Sequence, residues 1–241
     1  MDLNRAFWNK NDGIFFENYL ESISGNEKER EFEKRVVNTS LPCLGIKSSQ
    51  IKQISSEIAK GNFKDFINLW LFNNHTEVLI LGELICKIDE FDLFKKLLTK
   101  YALFVDNWAA CDTLKFKKSG KNKHLFLNLA KEFIGYKEPF VRRIGLRILF
   151  KFLDDDNIDE VFRLVESLKN ETHYYVNMCA SWLLCDAFIK QREKTLEFLR
   201  KNQLNDFVLK KTISKCRDSF RVSKEDKDFL LTLKKSICER D

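Results

Sequence analysis

The chain is poor in the residues that make tight turns. Two prolines, Pro42 and Pro139, and eight glycines in 241 residues leave little material for hairpins and argue against an all-β fold. Long apolar runs are also missing. The longest candidate, VLILGELICKI at 78–88, is interrupted by Glu83 and Lys87 and reads as a buried helix too short to span a bilayer. The opening MDLNRAFWNKNDG has no continuous apolar core of the signal-peptide kind, so the expected location is cytoplasmic. Familiar metal-ligand spacings are absent too. Seven cysteines are scattered with no C-x-x-C, and His75, His124 and His173 lie far apart. The expectation is reduced, buried thiols with no cofactor and no structural or catalytic metal.

What is present is charge, unevenly placed. The net charge is +6, but residues 112–151 hold eleven basic against three acidic residues, including Lys115, Lys117, Lys118, Lys121, Arg142, Arg143 and Arg147. A second block, 207–224, holds six against one, including Lys211 and Lys215. The remainder is acidic in balance. Segregation of this kind suits a surface for a polyanion, and equally suits two solvated helix faces with no partner.

Helical spacing dominates the chain. SSQIKQISSEIAKG opens with a serine cap, places Ile51, Ile54 and Ile58 on one face and stops at Gly61. NFKDFINLWLFN follows with Asn62 as cap, and TEVLILGELICKI offers Thr76. Further helices are expected near 90–104, 107–116, 121–134, 138–153 (Pro139 in its first turn), 157–169, 172–190, 192–200, 205–220 and 224–238. Even the polar stretch 24–40 spaces Phe32, Val36 and Val37 like a helix. Many short helices with short connectors and no linker predict one all-α domain over 1–241. It is read as an α-α superhelix, a curved solenoid of stacked antiparallel helical pairs, with capping helices over about 1–40 and repeats over about 41–222.

One pattern occurs twice. NWAACDTL at 107–114 and SWLLCDAF at 181–188 share W-x-x-C-D, which sets an indole and a carboxylate one helical turn apart. An isolated pair of this kind is ordinarily a core tryptophan beside a surface acid. Around Trp108 and Asp112, however, stand the most basic segment, the small Ala109 and Ala110, and a stripe of Arg143, Arg147 and Lys151. Indole, carboxylate and arginine together suit a cation attached to a phosphate chain. Cys111 reads as a packing residue rather than a nucleophile.

Several stretches, in order, resemble the AlkD-like DNA alkylation repair family of HEAT-like-repeat DNA glycosylases. They are LGIKSSQIKQI (44–54), DNWAACD (106–112), VRRIGLRILF (141–150), SWLLCDAFIK (181–190) and LKKTISKCRDSF (209–220), covering about residues 30–222. The resemblance implies catalytic-cleft roles for Trp108, Asp112 and Arg143, with Arg142 or Arg147 as substitutes one turn away. It implies a second cleft tryptophan at Trp182 and no such role for Asp186. Where the family often carries Thr-Pro and arginines after Leu-Gly-Ile, this chain has Ser48, Ser49, Gln50 and Lys52, so phosphate contact at Ser48 is differently arranged.

The resemblance further implies a monofunctional glycosylase hydrolysing the N-glycosidic bond of cationic N3- or N7-alkylated purines, without enclosing the base. Its partner would be double-stranded DNA, gripped through Ser48, Lys115, Lys117, Lys118, Lys121, Arg142, Arg147, Trp182, Lys211 and Lys215. A monomer without protein partner or membrane contact is expected, nucleoid-associated when bound to DNA. Two other readings stay open: a DNA-binding member of the same family without activity, and a helical scaffold for proteins.

Overall fold

The computed structural model describes residues 2–201 and 203–238. The described residues form fourteen α-helices, one 3-10 turn and no strand, an all-α architecture compatible with an α-α superhelix. In chain order these are α1 (Lys10–Ser22), α2 (Glu27–Val37), α3 (Ser48–Ile58), α4 (Phe63–Leu69), α5 (His75–Ile85), α6 (Phe91–Phe104) and α7 (Trp108–Asp112). After the 3-10 turn (Lys117–Gly120) come α8 (Lys123–Ile134), α9 (Pro139–Leu149), α10 (Ile158–Glu166), α11 (Tyr174–Lys190), α12 (Arg192–Lys201), α13 (Asp206–Asp218) and α14 (Lys224–Cys238). No helix among the described residues is long and apolar enough to cross a membrane.

The helices gather into two compact units, Met1–Lys118 and Ser119–Asp241. The division falls inside the lysine-rich stretch 115–124, where no proline- or serine-rich linker marks it.

In the first unit α5 is the central element. Ten of its eleven residues are buried, and it packs on α3, α4, α6 and α7. Each fully buried Leu, Ile or Val contributes about 1.5–3 kcal/mol relative to exposure, which explains why the apolar segment read from 78–88 lies here. α2 is the opposite case. Its sequence EKEREFEKRVV buries only Val37. Its ends are fixed locally instead, by an Asn26/Glu29 capping box and by Asn38 in the left-handed region, φ 57°.

In the second unit the seventeen-residue α11 packs on α9, α12 and α13. α8 and α9 approach closely where a side chain at Gly145 would meet the Ala130 carbonyl oxygen at 3.0 Å. In both units helices two places apart in the chain touch: α3 on α5 and α5 on α7, then α9 on α11 and α11 on α13. Repeated helical pairs stack in this way.

Several predicted ends shift. Lys47, not a serine, precedes α3, and the Gln50 side chain accepts its N–H (3.3 Å). Asn74 rather than Thr76 caps α5, while Asn62 caps α4 as expected. The helix expected over 107–116 is a single turn, because Thr113 ends it and Lys115–Lys118 lead into the 3-10 turn.

Candidate functional site

The first unit sets Trp108 and Asp112 through a chain of local bonds. Asp106, just before α7, accepts from Thr39 Oγ1–H (2.7 Å), from Ser40 N–H (2.6 Å) and from Ser40 Oγ–H (2.6 Å). Burial alone would raise this carboxyl. The bonds from Ser40, Asn107 and Thr39 overcome that and hold it below the usual range. Asn107, fully buried, caps α7 by accepting from Ala110 N–H (2.9 Å). Cys111 is buried and its thiol faces the Asn107 carbonyl (3.4 Å). The Tyr101 hydroxyl donates to the Ala110 carbonyl (3.2 Å). With this side of α7 held inward, Trp108 and Asp112 lie on the other, half-exposed.

The Trp108 indole is oriented from outside its own helix. Its Nε1–H donates to the Val36 carbonyl at the end of α2 (3.1 Å). Trp108 and Asp112 both line a cavity of about 700 Å³. Phe32 and Val36 of α2 and Ser48 and Ile51 of α3 form other parts of its wall. Phe32 and Val36 are exposed, so the cavity is apolar at its rim as well as its walls. Ser48, expected at phosphate, lines this same cavity. The lysines after α7 are partly engaged: Lys118 pairs with Asp89 (2.7 Å) and donates to the Lys87 carbonyl (2.7 Å), and Lys115 lies 3.7 Å from Glu83. Lys117 is exposed.

A third feature of this unit escaped the sequence. Glu33 of α2, Cys43 and His75 bring ligand-type atoms within 4.8 Å of one another. His75 is buried, and its Nδ1 lies 2.7 Å from Glu33 Oε1. Burial first, then the Glu33 charge, pushes the Cys43 thiol up to about 11.

In the second unit the expected basic stripe is divided. Arg143 is 4% exposed, and its guanidinium donates to the Tyr175 carbonyl of α11. Arg142, expected at phosphate, is committed within the fold. It makes a two-bond ion pair with Glu171 (2.5 and 3.1 Å) and donates to the Tyr136 and Lys137 carbonyls (2.9 and 2.5 Å). The physical reason is position: both residues face the α11 start at Tyr174 and the loop before it. Lys151 falls beyond the end of α9 and is exposed.

Arg147 belongs to a second basic row. The Arg147 guanidinium lies 4.6 Å from the Phe150 ring centre, Phe150 meets Trp182 edge-on (6.4 Å, 85°), and Lys215 Nζ stands 6.0 Å from the Trp182 ring. Two adjoining aromatic rings lie between two cations across α9, α11 and α13, and Trp182 is 44% exposed. Lys211 lies 6.0 Å from the Phe207 ring, and Lys121 is exposed. Phe150 was missed in the sequence although it ends the quoted stretch VRRIGLRILF, because a phenylalanine at a helix end ordinarily reads as core. Asp186, the second carboxylate of the repeated pattern, pairs with Arg221 (2.5 Å).

These units describe a helical-repeat protein that carries an indole–carboxylate pair at an apolar cavity and, elsewhere, a cation–aromatic row suited to bases and phosphates. The model of the family described as DNA alkylation repair enzyme matches residues 17–216, most of the chain, and the protein belongs to that family. Its role accordingly lies in the repair of alkylated DNA. No individual curated protein matches it.

Proposed function

We propose that the protein is a monofunctional DNA glycosylase that hydrolyses the N-glycosidic bond of purines made cationic by alkylation at N3 or N7 in duplex DNA. The single observation that supports this best is the joint placement of Trp108 and Asp112 on one turn at the cavity rim, in a chain of this family. A purine with fixed positive charge is already a good leaving group, so little acid catalysis is required. The sugar, becoming oxocarbenium-like, needs a nearby negative charge and a positioned water. Asp112 serves as that charge and as the group that orients the water or accepts its proton. Trp108 packs against the sugar or the cationic base.

Strand contact is assigned to exposed or half-buried groups in each unit. In the first these are Lys117 and the neighbouring Lys115, Lys118 and Ser48; in the second, Lys121, Arg147, Trp182, Lys211 and Lys215. Arg143, which donates to the Tyr175 carbonyl of α11, keeps in this reading the part of gripping the phosphates that flank the lesion, and Arg142 holds the 171–173 loop. No lysine stands out as a Schiff-base nucleophile, hence no strand cleavage. The open rim of the cavity suits catalysis without full extrusion of the base.

The test is release of N7-methylguanine and N3-methyladenine from methylated duplex DNA, with wild type set beside Asp112→Asn. Release by wild type and its loss in the variant, with DNA binding kept, is the expected result. Salt-dependent binding with no release from wild type would instead identify a DNA-binding member of the family without this reaction.

A further inference from the structure

We propose that Glu33, Cys43 and His75 form a binding site for a borderline divalent cation, Zn(II), that clamps α2, the 42–45 loop and the start of α5 together. The inference is independent of the glycosylase reading.

Three observations carry it. The first is the donor set. A carboxylate, a thiol and an imidazole converge within 4.8 Å, and thiolate, imidazole and carboxylate are the ligands that Zn(II) takes, with water in a fourth position where only three protein groups are supplied. Bonds of about 2.0–2.3 Å require ligand atoms about 3.3–3.8 Å apart, so closure needs shifts of about an ångström shared between side chains.

The second is that the backbone holding these groups is already fixed. The His75 N–H donates to the Pro42 carbonyl (2.9 Å). The other oxygen of Glu33 accepts from Gly45 N–H (2.7 Å). Gly45 sits at φ 66°, where a side chain would meet the α2 backbone at 3.0 Å. Glycine is thus required for the loop to bring Cys43 to Glu33. Three segments distant in sequence are pinned around one point.

The third is incomplete satisfaction of buried polar atoms. His75 Nε2 has no hydrogen-bond partner among the described residues although the residue is 1% exposed. Among the described residues the one hydrogen-bond partner of the Cys43 thiol is the Leu41 carbonyl at 3.9 Å, too long to be strong. Metal at Nδ1 moves the imidazole proton to Nε2, which breaks no existing bond there. The Cys43 thiol proton leaves to solvent, so each Zn(II) bound releases about one proton. Glu33 lines the apolar cavity, from which a water reaches the fourth position. Because Nε2–H would lack an acceptor, affinity should fall about 10–100-fold below that of a site with a complete outer shell.

The experiment titrates the full chain, freed of metal by chelation, with Co(II) as spectroscopic probe. Expected are tetrahedral d–d bands and a thiolate-to-metal charge-transfer band saturating at one equivalent, displaced by Zn(II). Release of one proton should accompany them. Cys43→Ser should lose the charge-transfer band, His75→Gln should weaken binding at least tenfold, and Cys86→Ser should change neither. Zn(II) at 100 times its Kd should raise the wild-type Tm by about 5–10 °C, with no rise in Cys43→Ser. Absence of the bands in wild type, or their survival in Cys43→Ser, overturns the proposal. Should Cys43→Ser fail to fold, His75→Gln decides: full binding in that variant also overturns it.

Discussion

The two W-x-x-C-D segments share a pattern and differ in everything around it. In both, the cysteine is inside: Cys111 is fully buried and Cys185 is 3% exposed. In both, the tryptophan and the aspartate share the opposite, outer side. There the likeness ends. α7 is five residues long, and its indole N–H is tied to the Val36 carbonyl of α2. α11 is seventeen residues long, and its indole packs edge-on against Phe150 with Lys215 above. Asp112 lines a cavity of about 700 Å³, and Asp186 pairs with Arg221 of the segment after α13. The repeated pattern therefore records how a small thiol is packed beneath an outer face. What that face does is decided by residues from other parts of the chain.

The largest expected effect separates the two aspartates. On the proposed activity, Asp112→Asn should lower the rate of base release by about 10²–10⁴-fold. Asp186→Asn should change it by less than about fivefold, the limit set by an exposed ion pair of at most about 1 kcal/mol. Single-turnover excision of both variants checks this. Equal losses would mean that the two segments act alike and that the contrast in their surroundings has no functional meaning.

A second contrast concerns two glutamates with covered side chains, one in each unit. Glu77 in α5 is 1% exposed, accepts from Asn73 N–H (2.7 Å) and leaves Oε1 without a partner. Burial dominates and raises its carboxyl from 4.5 to about 7. Burial would also raise Glu171, but the Arg142 guanidinium and the His173 and Thr172 N–H groups outweigh it and hold the carboxyl low. The pH dependences are opposite. A carboxyl raised in the folded state binds its proton more tightly there, so stability falls as pH rises from about 4.5 through 7. A lowered one contributes stability above its ordinary value, lost as pH falls below it. Glu77→Gln should remove the decline between pH 4.5 and 7 and add about 1–3 kcal/mol at pH 8. Glu171→Gln should cost about 1.5–3 kcal/mol at neutral pH. Urea unfolding at pH 5 and pH 8 reads both, and a flat wild-type profile would remove the distinction.

How much of this was legible in the sequence follows from the range of the interactions. Helices spaced like Ile51, Ile54 and Ile58, the Asn62 cap and the Pro139 start are local, and each stands as read. So is the turn that brings Trp108 and Asp112 to one side. Thr76 failed as a cap because Asn74, two residues earlier, accepts from Glu77 N–H at 3.0 Å. The bonds of Arg142 to Glu171 and of Arg143 to the Tyr175 carbonyl were not legible, since these partners lie about thirty residues away and nothing local signals them. The same holds for Glu33, Cys43 and His75. Their spacings of ten and thirty-two residues match no short ligand motif, and only the Gly45 turn and the Pro42 bond draw them together.

A smaller effect tests how the two tryptophans are held. Trp108→Phe keeps an aromatic ring but removes the N–H bonded to the Val36 carbonyl, which should cost about 0.5–1.5 kcal/mol. Trp182→Phe removes no such bond and should leave stability within about 0.5 kcal/mol while weakening DNA binding through the exposed ring. Denaturant unfolding of the two variants side by side gives the answer. A larger loss at Trp182 would place the structural burden on the second segment instead.

The smallest effect concerns the pair that neutralises Asp186. Arg221 and Asp186 have side chains 46% and 21% exposed, so water and salt screen much of their attraction, and Asp186→Asn should cost no more than about 1 kcal/mol, less in high salt. Its consequence for binding is of more interest than its size. Releasing Arg221 from Asp186 adds an unbalanced cation to the second unit near Trp182, so nonspecific DNA affinity should rise in Asp186→Asn and its salt dependence steepen by about one counterion. Fluorescence-anisotropy titrations at several salt concentrations measure that slope. A steeper slope means that Asp186 restrains the charge of this surface, which on the proposed activity makes the carboxylates of the two copies opposite in purpose: one to meet a cation on the DNA, the other to withhold a cation from it.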